Sequence, residues 1–239
     1  LTNETLKLAP NGDPREWNFG YSIDISGNTA VVGATKPNDI GSAYLFDTET
    51  GTQLARLTAE DASPGDAFGV SVAISPSTVI VGATNDEHEN GITGSAYLFD
   101  VITGAQIGKL ISENPTTGDG FGSRVAIYGN TAIVGAHFDS QEGFRTGAVY
   151  IFDIATGLQV AKLTGNDSEE EDYFGTAVAI WGDTVIVGAT SNGDAGAAYL
   201  FDAVTGEQLF KLNSNDAGTI ESFGRSVSIS GTTAIVGAP

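Results

Sequence analysis

The dipeptide Phe-Gly recurs at Phe19, Phe68, Phe121, Phe174 and Phe223, at intervals of 49, 53, 53 and 49 residues. A period of that size commits a chain to stacked copies of one supersecondary unit, because a single copy cannot bury its own apolar faces. Each Phe-Gly opens an apolar run, followed by a short turn and a second run ending in Val-Gly-Ala, at Val32, Val81, Val134, Val187 and Val236. Four copies continue into GSAYLFD (from Gly41 and from Gly94), GAVYIFD (from Gly147) and GAAYLFD (from Gly196). A Thr-Gly turn then leads into a fourth run, starting at Gln53, Gln106, Gln159 and Gln208.

One copy therefore holds four short strands, A to D. In strand A of the second copy, Phe68, Val70, Val72 and Ile74 share one face, and Gly69, Ser71 and Ala73 the other. A large face and a small face suit sheets stacked on both sides. Strand B, such as Val79-Ile80-Val81, is apolar throughout and reads as buried on both sides. Strands A and B are joined by two-residue turns: Gly27-Asn28, Pro76-Ser77, Gly129-Asn130, Gly182-Asp183 and Gly231-Thr232. Gly in first place is a tight-hairpin signal. Asp47, Asp100, Asp153 and Asp202 recur in register before the Thr-Gly turns and read as turn caps. Consecutive antiparallel strands in sets of four, repeated about every 50 residues, predict an all-β fold: a β-propeller of about five blades over residues 1–239. The penultimate residue of strand D is basic in every copy: Lys7, Arg56, Lys109, Lys162 and Lys211. On an outermost strand such charges guard a free edge against aggregation.

The count closes one strand short. A strand D at Thr5 to Leu8, four full sets and a final A and B give nineteen, so the last blade lacks strand C. The N-terminal strand 5–8 is expected to clasp that blade. Its missing strand is expected either from further sequence or from a neighbouring copy by strand addition.

These residues make the chain similar to the FG-GAP repeat family, which includes the propeller of integrin α subunits. The DxFGxSVAIxGDTAVVGA-type repeats of bacterial secreted proteins resemble it most. The resemblance implies adhesion or recognition outside the cell. The calcium loop of integrin-type repeats, DxDxDGxxD between the first two strands, is replaced here by two-residue turns, so that site is not carried over.

The net charge is −20, from 30 acidic and 10 basic residues, which disfavours nucleic acid and anionic lipid. No run of apolar residues is long enough for a membrane helix. With no Cys there is no disulfide or thiolate metal site, and Leu1 reads as a processed N-terminus or the start of a fragment. In an antiparallel blade the B–C and D–A loops share one end, and 21 of the 30 carboxylates fall in them. The face gathers acid that is dispersed in sequence. The candidate calcium ligands are Asp61 with Asp66, Asp86 with Glu89, and Asp167 with Asp172. The bland alternative is a solvated acidic face. Trp17 on that face is a candidate for stacking on a sugar or anchoring a partner.

No catalytic motif is present. There is no GxSxG elbow, Gly118-Asp119-Gly120-Phe121-Gly122 is the Phe-Gly element itself, and His88 and His137 lie in different loops. Zinc would need both histidines brought together from adjacent blades. The expectation is a non-enzymatic extracellular recognition or adhesion module, secreted or at the cell surface, with a protein or glycan partner or copies of itself. Two alternatives are a structural subunit of a fibre or surface layer built by strand donation, and a carboxylate-based hydrolase or lyase.

Overall fold

The computed structural model describes residues 6–11, 18–36, 38–89, 91–193, 195–214 and 222–239. The fold is all-β, and no helix occurs among the described residues. Unit 1 comprises β1 (Phe19–Ser26), β2 (Thr29–Ala34), β3 (Ser42–Asp47) and β4 (Gln53–Leu57). Unit 2 comprises β5 (Phe68–Ile74), β6 (Thr78–Ala83), β9 (Ser95–Asp100) and β10 (Gln106–Leu110). A small hairpin, β7 (Glu87–His88) and β8 (Gly91–Ile92), fills its B–C loop. Unit 3 is β11 (Arg124–Tyr128), β12 (Thr131–Ala136), β13 (Ala148–Asp153) and β14 (Gln159–Leu163). Unit 4 is β15 (Phe174–Trp181), β16 (Thr184–Ala189), β17 (Ala197–Asp202) and β18 (Gln208–Leu212). Unit 5 has β19 (Ser226–Ser230) and β20 (Thr233–Gly237) alone. Within each unit, strands A to D pair antiparallel with their neighbours in the repeat, and isolated parallel bridges join Gly41 to Phe68, Gly147 to Phe174 and Gly196 to Phe223 of the following unit. The strands that the repeat assigns to A, B, C and D are thus the strands that form.

The turn chemistry holds as read. Asp100 Oδ1 accepts the amides of Ile102 and Thr103 and the Thr103 hydroxyl, at 3.1, 2.7 and 2.8 Å. Asp47, Asp153 and Asp202 accept the amides of Thr50, Thr156 and Thr205 in the same way. Strand A departs from simple alternation. A bulge separates Phe68, opposite Ala83, from Ser71, opposite Gly82. Val70 lies inside that bulge and is only half-buried, so it leaves the face it was expected to share with Phe68, Val72 and Ile74.

Units stack large face on small face. Phe68, Val72, Ile74, Val81, Tyr97 and Phe99 of unit 2 cluster with Val31, Ala43, Leu45 and Leu57 of unit 1. The other face of unit 2, with Ala73, Ile80, Ala96 and Leu98, packs on Phe121, Val125, Tyr150 and Phe152 of unit 3. Units 3 and 4 repeat the arrangement. Backbone contacts lock the stack. Phe174 N–H donates to Thr146 O at 2.9 Å, and Phe223 N–H to Ala195 O at 2.8 Å. A Cβ on Gly82 would stand 1.9 Å from the carbonyl oxygen of Gly122, so the Val-Gly-Ala of one unit lies directly under the Phe-Gly of the next.

The inner strands follow one another as β1, β5, β11, β15 and β19, and no comparable packing returns from β19 to β1. On β1, Ile23 and Ile25 are 72% and 61% exposed, whereas their counterparts Val72 and Ile74 are 6% and 5% exposed. On β20, Ile235 is 67% exposed, whereas Ile80 in the same place is fully buried. Thr5 of the expected N-terminal strand lies outside the described residues, and Leu6 to Leu8 are not paired into a sheet. Leu8 instead packs on Val32, Tyr44 and Phe46 of unit 1. That is where the corresponding Leu57 packs on unit 2.

Candidate functional site

The D–A and B–C loops meet at one end of the units. A single element repeats there, built from a tyrosine of strand C, a lysine of strand D and loop carboxylates. Tyr97 stands opposite Lys109 in the β9–β10 ladder, Tyr150 opposite Lys162, and Tyr199 opposite Lys211. Cross-strand partners share a face of the sheet. The ammonium lies over its tyrosine ring, 5.1, 5.7 and 5.4 Å from the centroid in the three units. It then reaches the loops. Lys109 Nζ lies 2.5 Å from Asp61 Oδ2 and 2.8 Å from Asp86 Oδ2. Lys162 Nζ lies 3.2 Å from Asp139, and Lys211 Nζ 2.5 Å from Asp167. The basic residues of strand D in units 2 to 4 therefore tie strand D to the acidic loops, and edge protection is not needed to account for them. In unit 1, Arg56 donates to Ser42 Oγ through Nε and Nη2, at 3.0 and 2.8 Å.

The loop acids divide into two sets. Asp66, Asp86, Asp119, Asp139 and Asp172 are buried and hold the loops together. Asp66 Oδ2 accepts the Ser63 amide at 2.6 Å, and Asp119 and Asp172 accept the Thr116 and Glu169 amides at 2.8 Å. Asp86 and Asp139 accept the hydroxyls of Tyr97 and Tyr150. Glu60, Asp61, Glu87, Glu89, Glu113, Glu142, Asp167 and Glu169 to Glu171 are exposed. Asp13, Glu16, Trp17, Asp194, Asp216 and Glu221, expected on the same face, lie outside the described residues.

Asp61, Asp66 and Asp86 line one pocket of about 470 Å³ with Ser63, Asn85 and Glu87. Glu89 is not part of it. Asp167 and Asp172 sit in one loop but serve different partners, Lys211 with Tyr199 and Asn192 with the Glu169 amide. Between Asp61 and Asp86 the cation in place is the protein's own Lys109. Among the described residues no group of three or more carboxylates and histidines converges on a point that could hold a metal ion.

The ionisation of these groups follows their surroundings. Burial opposes charge on Asp61, but hydrogen bonds from Lys109 and Tyr97 outweigh it and hold the carboxyl below its ordinary value; Asp167 is held down likewise by Lys211 and Tyr199. Burial raises Asp66 and Asp119, with the neighbouring Asp86 and Asp139 adding to the rise. Both acids occupy the same position of successive repeats and accept the same loop amide, which marks them as loop anchors.

The two histidines are not brought together. His88 Nε2 meets Ser95 Oγ at 2.8 Å, and His137 Nδ1 meets Ser123 Oγ at 2.8 Å. Burial, with Arg124 nearby, pushes the His137 imidazole down to about 4. The unfolded chain takes up this proton near 6.5 and the folded chain near 4, so stability falls as pH drops through that window. The expected loss is up to about 3 kcal/mol. Other repeats carry Thr35, Thr84 and Thr190 at this position. In His137→Thr, denaturation midpoints followed from pH 7 to pH 4 should fall less than in wild type, the lowered carboxylates such as Asp61 and Asp167 accounting for what remains. The raised pKa values of Asp66 and Asp119 act with the opposite sign, favouring the fold below their folded pKa. An equal fall in wild type and variant would remove His137 as the cause.

Sequence reasoning passed over a second concavity at the other end of the inner strands. It measures about 780 Å³ and is lined by Ile23, Ile25, Tyr128 and Trp181 among others. Tyr128 and Trp181 meet there with ring centroids 5.3 Å apart and planes tilted by 49°. The signal was available: they end strand A where Ser26, Ser75 and Ser230 stand in the other copies.

The FG-GAP repeat family matches residues 3–46, 52–99, 105–152, 158–201 and 207–239. The chain belongs to the FG-GAP repeat family. Repeats of this kind are generally non-enzymatic β-rich modules and typically extracellular. No curated protein matches the chain. Among solved structures it is similar to the computationally designed Ika4 protein, at 19% identity and a TM-score of 0.53, over 79% of this chain and 93% of that one. It is also similar to the computationally designed Ika8 protein, at 16% identity and a TM-score of 0.54, over 91% of this chain and 67% of that one. These likenesses concern the fold. Among the described residues no helix is long and apolar enough to cross a membrane.

Proposed function

We propose that the five units are blades of a β-propeller that acts outside the cell as a non-enzymatic recognition or adhesion module. Its contact surface is the face of the B–C and D–A loops, and its partner is a protein or glycan engaged through basic groups or bridging cations. The observation that carries this reading is the division of the loop acids. The buried carboxylates are used up in building the loops, whereas the exposed ones, apart from Asp61 and Asp167 with their lysines and tyrosines, have little structural work and share the loop face. Calcium belongs to the proposal as a ligand for Asp61, Asp66, Asp86, Glu89, Asp167 and Asp172. At Asp61 and Asp86 it has to displace Lys109.

Replacing Glu169, Glu170 and Glu171 by Gln should abolish binding to immobilised basic peptides. The same charge change at the opposite end, in Glu49→Gln, Asp183→Asn and Glu207→Gln together, should leave binding in place. Equal losses in both triple variants would reduce the effect to net charge and end the proposal for this face. The same samples test the metal. A ligand that binds only the folded chain raises its melting temperature. Millimolar calcium should raise the melting temperature of Lys109→Met more than that of wild type; curves identical to those in EDTA for both proteins take calcium out of the reading.

The fibre alternative draws on one observation. Among the described residues β20 pairs with β19 alone, and its other edge is where a donated strand would add.

A further inference from the structure

Where units 3 and 4 meet, the loop face carries an aromatic patch. Phe138 and Phe144 of the unit 3 B–C loop are 38% and 53% exposed. The Arg145 guanidinium lies over both rings, its carbon 5.2 Å from the Phe138 centroid and 4.9 Å from that of Phe144. The His137 ring lies 3.9 Å from Phe138, and Tyr173 of the D–A loop meets Phe138 edge-on at 6.0 Å. Glu142, Glu169, Glu170 and Glu171 stand exposed in the same two loops. We propose that this patch is the anchoring centre of the loop face, and that its occupant is a protein segment carrying apolar side chains between lysines or arginines. The inference rests on the loop-face reading and narrows its partner to a protein of that chemistry.

The fold does not call for these side chains. The B–C loop of unit 2 has the same length from Ala83 to Gly94 as that of unit 3 from Ala136 to Gly147. It carries Asn85, Gly91 and Ile92 where unit 3 carries Phe138, Phe144 and Arg145. Arg145 and Tyr173 both hold left-handed backbone, each at φ +53°. That region is costly for large side chains, and Gly120 stands at the position of Tyr173 one repeat earlier. Bulk is placed at both positions against local preference. Among the described residues the ion pairs are made by Lys36, His88, Lys109, Lys162 and Lys211, and not by Arg145. Arg145 is spent on the two phenyl rings and leaves its N–H donors for a partner's carbonyl oxygens.

The patch is also set in advance. Phe144 O accepts the Glu171 amide at 2.8 Å, and Arg145 O accepts the Tyr173 amide at 3.2 Å. Ser140 Oγ accepts the Arg145 amide at 2.9 Å. A surface ordered before binding loses little freedom on binding.

Composition and charge choose the occupant. Aromatic residues and arginine at the centre with charged residues around them are the anatomy of a protein-binding surface. Arg145 aside, the exposed charged residues of the two loops are Asp167 and the four glutamates. A Cβ on Gly143 would stand 3.3 Å from Glu170 Cγ, so this acid lies against the loop that carries the rings. Surrounding acid selects basic flanks, and exposed rings select an apolar anchor between them. A sugar stacks on an open ring face, and the Arg145 guanidinium covers a face of both phenyl rings.

The test follows labelled peptides by fluorescence anisotropy on the full chain. The probes are hexalysine and a hexapeptide of four lysines flanking two central leucines. Wild type should bind the leucine peptide about tenfold more tightly, although it carries less charge. Phe144→Ser should lose that preference while keeping the hexalysine affinity and the melting temperature. Phe138→Asn, an exchange that unit 2 already shows at Asn85, should do the same. Trp181→Ser, at the opposite end of the units, should keep the preference. Equal affinity of wild type for both peptides, or a preference that survives both Phe substitutions, overturns the patch and leaves the loop face standing. Binding of neither peptide ends both readings. Cellohexaose bound by wild type and lost in Phe144→Ser would make the occupant a glycan and overturn the proposal.

Discussion

Phe68→Ala should destabilise the protein by about 3–5 kcal/mol, the range for removing a fully buried aromatic side chain. Phe68 is completely buried at the junction of units 1 and 2. Its ring meets Tyr97 at 5.7 Å and stands edge-on to Phe99 at 5.9 Å. On its other side lie Val31, Leu45 and Leu57 of unit 1. The shell is made of sheet backbone on both sides, so the vacated space cannot collapse without moving a whole unit. Phe19→Ala is the control. Phe19 makes the same two ring contacts, with Tyr44 and Phe46, but it is only half-buried. Its loss should cost clearly less. Denaturant unfolding with separate probes in the first and last units measures both, since a stack of repeats need not unfold in one step. A Phe68→Ala midpoint equal to that of Phe19→Ala would contradict the packing described for the junction.

The same comparison shows what the sequence carries and where it stops. The identity of Phe68 as a junction residue was legible because five Phe-Gly pairs recur in register with five Val-Gly-Ala endings. Periodicity and turn residues are local signals, and they located strands A to D of units 1 to 4 and the capping role of Asp100, but not the β7–β8 hairpin. The displacement of Val70 was not legible. Alternation assumes a continuous ladder, and the bulge after Phe68 breaks it, as the same bulge after Phe19 does in unit 1. The loop face was legible only in outline. Counting carboxylates placed the acid at one end, but it could not separate Asp66, spent on the Ser63 amide, from Asp61, which remains largely in solvent. Nor did it show that Lys109 faces Tyr97 across a ladder, although setting strand C against strand D through the Thr-Gly turn puts Lys109 opposite that tyrosine. Burial of a charged group depends on what folds over it, and that is decided by loops of unequal length whose paths no periodic pattern records.

Gly82→Ala should cost about 3 kcal/mol or more, at or above the upper end of the usual range for overpacking a core. The added methyl would stand 1.9 Å from the Gly122 carbonyl oxygen and 2.9 Å from its carbon. No rotamer relieves this contact, because the obstacle is backbone belonging to the next unit. Relief requires units 2 and 3 to separate, which opens the apolar interface formed by Ile80, Leu98, Phe121 and Tyr150. The repeat supplies a graded series. Gly188 faces the Gly224 oxygen at 1.9 Å, Gly33 faces Gly69 at 2.2 Å, and Gly135 faces Gly175 at 2.7 Å. Gly237, in the same sequence motif, meets only the Ser226 hydroxyl, at 2.3 Å, and a hydroxyl can turn away. Alanine should therefore be worst at Gly82 and Gly188, milder at Gly135, and close to neutral at Gly237. Equilibrium unfolding of the single variants, at concentrations where the chain is monomeric, reads the order directly. Equal costs at all positions would mean that Gly is required by its own strand, through a cost common to every copy. The predicted ranking instead locates the requirement in the carbonyl of the neighbouring unit, so that the spacing between units, and not the fold of any one of them, is what these glycines set.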